Sequence, residues 1–228
     1  MEEKNEYKNF HSRIDIKKSS YIMAIISAEN FEKKGATKLD CGIYWIKKEY
    51  DGTSTGETCA LIGIPLHLIF SMIDEECDLV KTLRLEEKLS YIEGIEELSC
   101  RYVQTAITKF KMFFKREDVE ELMLFNIEPK GSGKLEKQYP KPLITVPGGT
   151  MEEKDLQDFE RCALREFKEE TGLDISDTHH KISREKVKKG FRFSHFPSSQ
   201  KRLKMIYAKN KFDQNKKVIS MYYLVRID

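Results

Sequence analysis

The chain has 228 residues, 39% of them hydrophobic and 34% charged, with 40 Lys and Arg against 38 Asp and Glu for a formal net charge of +2. That length and apolar content fit one domain with a large insertion, or two small domains sharing a core. The near balance of charge argues against a disordered tail and against a uniformly basic nucleic-acid coat. Acids dominate between Asp74 and Glu97, whereas beyond Asp174 bases such as Lys186, Lys188, Lys189 and Arg192 prevail, a segment suited to a polyanion or to a solvated surface. The five cysteines, Cys41, Cys59, Cys77, Cys100 and Cys162, are odd in number and lack metal-ligand spacing, and the first residues are too polar for a secretion signal. Reduced thiols in an intracellular, cytoplasmic protein are the expectation. The most apolar stretch, Cys59 to Ile73, is interrupted by Pro65 and His67 and is too short to span a bilayer, so no membrane partner is expected.

In chain order, Tyr21 to Ala28 is an apolar run suited to a buried strand, as is Gly42 to Ile46. The turn residues Asp51 to Gly56 separate the latter from a third run, Ala60 to Pro65. From about Leu66 to Pro129 glycine is scarce, acids and leucines recur at helical spacing, and Tyr102, Ala106, Phe110 and Phe113 share one helical stripe. Several helices are predicted there, forming a helical insertion or subdomain. Lys130 to Lys134 breaks this region and returns the chain to strand character at Leu143 to Val146. Pro147, Gly148 and Gly149 then form a sharp turn. Asp155 is the expected N-cap of a helix from Leu156 to Thr171 that stops at Gly172. Strands are predicted at Phe191 to Phe196, Leu203 to Ala208 and Val218 to Ile227, the last two joined through Asp213, Gln214 and Asn215 as a hairpin.

The predicted helix carries the chemistry. Glu166, Glu169 and Glu170 fall at i, i+3 and i+4 and project from one face. Like charges so spaced destabilise an isolated helix by a few tenths of a kcal/mol, roughly, and a hard divalent cation removes that penalty. Ala163 and Phe167 lie beside this face and can dock the helix on a sheet. A solvated acidic helix would show the same triplet, but this one follows a strand and a Pro-Gly-Gly turn and precedes Gly172-Leu173.

Together these residues resemble the Nudix box, G-x5-E-x7-R-E-U-x-E-E-x-G-U, in which U is a bulky apolar residue. The second half matches from Arg165 to Leu173, with Phe167 and Leu173 at the U positions. By this resemblance Glu166, Glu169 and Glu170 bind Mg2+ or Mn2+, and the Gly149 carbonyl adds a ligand. Arg165 orients a carboxylate through a salt bridge, and Glu166 is the candidate proton acceptor. Catalytic roles thus fall on Glu166, Arg165 and Glu169. The first half departs from the pattern: counting forward from Gly149, the early glutamate slot falls on Asp155, and counting back from Arg165 it falls on Gln157. Two extra residues are present, and Asp155 is the favoured substitute. The fold implied is α+β, an αβα Nudix sandwich in which a mixed sheet bears the catalytic helix. Its parts would be residues 1–65, a helical insertion over 66–130, and the box-bearing 131–228.

The order of strands, lysine-bearing helical block, Lys130-Gly131-Ser132-Gly133, strand and box resembles the mRNA-decapping Nudix proteins of large DNA viruses. Val80 to Leu83 and Cys162-Ala163 add to the likeness. The resemblance implies capped RNA as partner, cleavage within the cap triphosphate, and action in the cytoplasm, that of a host if the chain is viral. Lys109, Lys111, Lys115, Arg116, Lys130 and Lys134 are the candidate RNA contacts, supplying a basic track among Phe110, Phe113 and Phe114. The same stretch also suits an amphipathic helix with its phenylalanines in the core. Trp45, Tyr44, Phe191 and Phe193 are candidates to stack on a cationic methylated guanine. His179 and His180 read as a surface turn and the remaining histidines show no partner pattern.

Two other functions fit the same residues. One is hydrolysis of nucleotide-like metabolites, such as nucleoside diphosphate derivatives or diphosphoinositol polyphosphates. The other is a non-catalytic Nudix-fold binding module, in keeping with the altered first half of the box. The chain stops within the strand-like MYYLVRID where such a fold commonly adds a second packing helix. The sheet face that this leaves is expected to be covered by the insertion or by a second subunit in a homodimer.

Overall fold

The strand DIKKSSYIMAIIS, β1 (Asp15–Ser27), organises the molecule because its apolar half is buried on both faces. A computed structural model of the chain describes residues 15–47, 60–92, 95–100, 103–110, 121–128, 141–175, 204–213 and 216–227. The strand ends at Ser27, one residue earlier than expected, because the Ser27 hydroxyl accepts from Asn30 N at 3.2 Å and caps α1 (Ala28–Lys33). Next come β2 (Thr37–Lys38), β3 (Tyr44–Lys47) and β4 (Ala60–Pro65), the last with the predicted bounds. Helices α2 (Leu66–Asp74), α3 (Leu79–Thr82), α4 (Leu85–Leu89) and α5 (Val103–Phe110) follow, with β5 (Ser99–Cys100) between the last two. The remaining elements are β6 (Glu121–Glu128), β7 (Leu143–Thr145), β8 (Gly148–Thr150), α6 (Phe159–Thr171), β9 (Lys204–Asp213) and β10 (Lys216–Ile227).

Among the described residues the ten strands form one mixed sheet, its main path running β2-β3-β4-β6-β1-β10-β9. β1 and β10 run parallel over twelve paired positions, from Asp15↔Lys216 to Ile26↔Ile227. On its other edge β1 meets β8 at Ser19–Tyr21 and β6 at Ile25–Ser27, both antiparallel. β7 joins β6 and carries β5 in parallel. The predicted hairpin is present, with Asp213 paired to Lys216. The strand expected at Phe191 to Phe196 lies outside the described residues.

The sheet separates two apolar layers. Alternation along β1 sends Ile22, Ala24 and Ile26 to one side and Met23 and Ile25 to the other. The first side is covered by α6 through Ala163 and Phe167 and by Phe31 of α1. The second is covered by α2 to α5, whose Leu66, Ile69, Leu85, Leu89, Val103 and Ile107 share one cluster with Met23, Ile62, Ile64, Phe125 and Leu224. Burying each of those leucines and isoleucines stabilises the fold by about 1.5–3 kcal/mol as an upper figure.

Two expectations for residues 66–130 are corrected. The segment ELMLFNIE is a central strand, β6, between β4 and β1, where a helical block was expected. A short run buried on both faces loses the alternation that marks a strand, so periodicity alone cannot distinguish it from buried helix. The helices also do not form a subdomain with its own core, since their apolar faces close on the sheet itself. They form the layer opposite α6. On the predicted stripe Ala106 is buried in this layer, and the side chains of Tyr102, Phe110 and Phe113 lie outside the description. No helix among the described residues is long and apolar enough to cross a membrane.

Candidate active site

Helix α6 begins later than the sequence suggests. Its N-cap is Asp158, whose carboxylate accepts from Glu160 N at 2.9 Å and Arg161 N at 3.3 Å, and it ends at Gly172 in the left-handed region, φ 73°. Asp155 instead closes a 3-10 turn, Glu153–Asp155, and accepts from Glu152 N at 2.8 Å. Between the two aspartates, Leu156 and Gln157 adopt φ of 53° and 64°, and Leu156 is 72% exposed. The two extra residues of the motif are therefore looped out in left-handed conformation, with no effect on the frame of the helix. Gln157 faces outward to accept from Lys18, while Asp155 points inward to Arg165.

Arg165 is the hub of the acidic face. Its Nε and Nη2 donate to Asp155 Oδ1 and Oδ2 at 2.8 and 2.7 Å, a bidentate pair in which Asp155 is fully buried. Its Nη1 lies 2.9 Å from Glu166 Oε1 and 2.8 Å from Glu169 Oε2. The Arg165 guanidinium holds the Asp155 carboxyl down at about 2, and Asp155 in turn pushes Arg165 further above its ordinary value. Glu169 is half-exposed and also pairs with Lys154 at 3.2 Å, a surface contact screened by solvent.

The two glycines before the helix fit it closely. A Cβ on Gly149 would sit 2.4 Å from Glu166 Oε2, so a larger residue here would push this carboxylate aside. A Cβ on Gly148 would sit 2.2 Å from the Ser20 carbonyl oxygen, and its φ is 147°. This close approach makes Gly148–Thr150 a short strand on β1, where a plain turn was expected. Ser20 Oγ donates to the Phe159 carbonyl at 2.8 Å and ties the start of α6 to the same strand.

Glu170 is drawn under the helix. Its Oε2 accepts from Gly148 N at 2.7 Å and from Asn126 Nδ2 at 2.5 Å. Burial, and next the charge of Glu128, push its carboxyl well above the ordinary range, against the pull of Gly148 N and Asn126. Burial likewise raises Glu166, with Arg165 pulling the other way. Beside them the buried Cys162 thiol is pushed up to about 12, mainly by burial, and is unreactive as a nucleophile.

Glu166, Glu169, Glu170 and the Gly149 backbone are thus brought together at the edge of α6 and β8. As they stand, no three acids, histidines or cysteines among the described residues are gathered round one point as a metal cage, because each carboxylate is engaged by protein donors. The donor chemistry still fits a hard dication: the carboxylate oxygens of Glu166, Glu169 and Glu170 beside the Gly149 backbone.

The remaining candidates are placed as follows. Lys109 lies in α5, but its side chain, like Lys111, Lys115, Arg116, Lys130 and Lys134, lies outside the described residues, as do Phe191, Phe193, His179 and His180. Tyr44 is buried on the α6 side of the sheet, so its ring is not open to stack on a base. Trp45 packs edge-on against Tyr91, ring centroids 4.6 Å apart. His67 is exposed on α2. The sequence reading missed Asn126 and Glu128, since it placed them in a helix, and it missed Lys154. The signal for the first pair was a polar Asn and Glu, two apart, ending an apolar run.

A family model for the NUDIX domain matches residues 113–220, just under half of the chain. That stretch takes in β6 to β9, α6 and the first part of β10, and leaves β1 outside although β8 and β10 both pair with it. No curated protein matches the chain significantly.

Proposed function

We propose that this chain is a divalent-cation-dependent Nudix pyrophosphohydrolase acting on the 5′ cap of mRNA, releasing methylated guanosine diphosphate and leaving a 5′-monophosphate RNA. The observation that carries the hydrolase is the juxtaposition of Glu166, Glu169 and Glu170 on one edge of α6 with the Gly148-Gly149 strand, inside a NUDIX domain. These carboxylates and the Gly149 carbonyl would hold Mg2+ or Mn2+, which would supply positive charge for phosphate oxygens and acidify a water. Water oxygen attacks phosphorus, the P–O bond of the pyrophosphate breaks, and Glu166 takes the water proton. Glu166 suits that task because its carboxylate lies beside the Gly149 backbone and is held by Arg165 at 2.9 Å. Arg165, locked by Asp155, holds Glu166 and Glu169 in place.

The cap assignment is supported by the resemblance of the chain's order of elements to viral decapping proteins. On this reading Lys109, Lys111, Lys115, Arg116, Lys130 and Lys134 meet RNA phosphates, and the protein works in the cytoplasm. Cap-labelled RNA incubated with Mg2+ or Mn2+ is expected to release methylated guanosine diphosphate. Faster turnover of diphosphoinositol polyphosphates or nucleoside diphosphate derivatives would replace the cap by those compounds. No turnover of any of them with either metal would leave a binding module.

A further inference from the structure

We propose that Lys154 is a phosphate contact of this site, held in reserve on Glu169 and released to the substrate when Glu169 takes up its cation. The inference rests on the metal-dependent reading above. Glu169 is the most exposed of the three helix carboxylates, and its two oxygens face different protein cations. Oε2 lies 2.8 Å from Arg165 Nη1, and Oε1 lies 3.2 Å from Lys154 Nζ. These two neighbours differ in freedom. Arg165 is fixed by its bidentate pair with the buried Asp155. Lys154 is half-exposed on a flexible stem, and its Nζ is shared with Glu152 Oε2, also at 3.2 Å. When Glu169 binds a dication, Lys154 is therefore the neighbour that leaves, because a solvent-screened surface pair yields before a buried bidentate one.

The backbone of Lys154 stays where it is. Lys154 is the middle residue of the 3-10 turn Glu153–Asp155, which is closed by the Asp155 carboxylate on Glu152 N and anchored through Asp155 to Arg165. Leu156 and Gln157 follow in left-handed conformation, so the extra length of the motif is taken up after this turn and not within it. The turn accordingly keeps an ammonium beside the carboxylate that would hold the cation. An ammonium is a compact point charge, suited to a phosphate whose other oxygens are shared with a dication. Lys154 thus exchanges a carboxylate oxygen for a phosphate oxygen.

The test is a pair of titrations on the full chain: Mn2+, read by the electron paramagnetic resonance of the free ion, and methylenediphosphonate at saturating Mn2+, read by calorimetry. Lys154→Met keeps the length of the stem and removes the charge. It should bind Mn2+ about two- to fivefold more tightly, since no ammonium competes for Glu169. It should bind methylenediphosphonate about tenfold more weakly, having lost a charged donor to phosphate. Opposite signs are the signature of the exchange. A role in holding the turn would instead weaken both affinities and lower the melting temperature in EDTA, and that result overturns the inference. Methylenediphosphonate affinity within about twofold of wild type, or Mn2+ affinity no higher than wild type, overturns it too. Glu169→Gln tests the reading beneath it and should weaken Mn2+ binding about tenfold or more. Unchanged Mn2+ affinity in that variant overturns the metal-dependent reading as well.

Discussion

Asp155→Asn separates the two ways of counting the motif. The substitution keeps shape and removes the charge that Arg165 meets through bonds of 2.8 and 2.7 Å. Asp155 is fully buried and the Arg165 side chain is 13% exposed, so the pair belongs with buried ion pairs, where removing one partner costs about 3–5 kcal/mol. Arg165 retains Glu166 at 2.9 Å and Glu169 at 2.8 Å, which sets the expectation at the lower end, about 3 kcal/mol. Urea unfolding followed by the fluorescence of Trp45, the chain's single tryptophan, measures it. Arg165→Met leaves Asp155 charged and unpaired, and the double variant removes both charges. The cycle should return a coupling of about 2 kcal/mol, well above the additivity limit. Gln157→Ala, at the competing position, should change stability by less than about 0.5 kcal/mol. A loss under about 1 kcal/mol in Asp155→Asn, or additive single variants, would refute the assignment of Asp155 as the partner that holds Arg165.

The acid limb of the stability curve offers a second check. The Asp155 carboxyl is lowered in the fold to about 2 from an ordinary 3.8, so its stabilisation is present above about pH 4 and is lost as pH falls toward 2. The stability gap between wild type and Asp155→Asn should therefore be flat near neutrality and close between pH 4 and 2 in urea titrations; a gap that persists at pH 2 contradicts this. Adjacent glycines should behave differently. Gly148→Ala drives a Cβ to 2.2 Å from a backbone oxygen and should cost several kcal/mol or prevent folding, whereas Gly149→Ala meets a side-chain carboxylate and should fold but lose about a hundredfold or more in turnover. Circular dichroism and cap hydrolysis on the two variants distinguish these effects. Leu156→Gly, at φ 53° and 72% exposed, should raise stability by about 0.5–1 kcal/mol with turnover unchanged, as read in the same unfolding assay. Glu169→Gln and Glu170→Gln should each abolish metal-dependent turnover; activity retained in both would mean that chemistry occurs elsewhere.

The sequence by itself determined the features that depend on near neighbours. The i, i+3, i+4 spacing of Glu166, Glu169 and Glu170 places them on one helix face whatever surrounds it, and the turn-forming Gly148-Gly149 and the stop at Gly172 bound that helix from both sides. The extent of β4, the strand at Leu143 and the 213–216 hairpin were legible for the same reason, each carrying its own turn residues. Tertiary structure decided what depends on distant partners. β6 reads as strand only because β4 and β1 bury its two sides, and without them an eight-residue apolar run has no distinguishing period. Asp155 takes Arg165, and Gln157 does not, because two residues between the aspartates turn left-handed, a conformation that the spacing of types does not announce. Asn126 reaches Glu170 across 44 positions of chain. Local spacing fixed which carboxylates the site would present, and the packing of α6 on the sheet fixed which residues hold them.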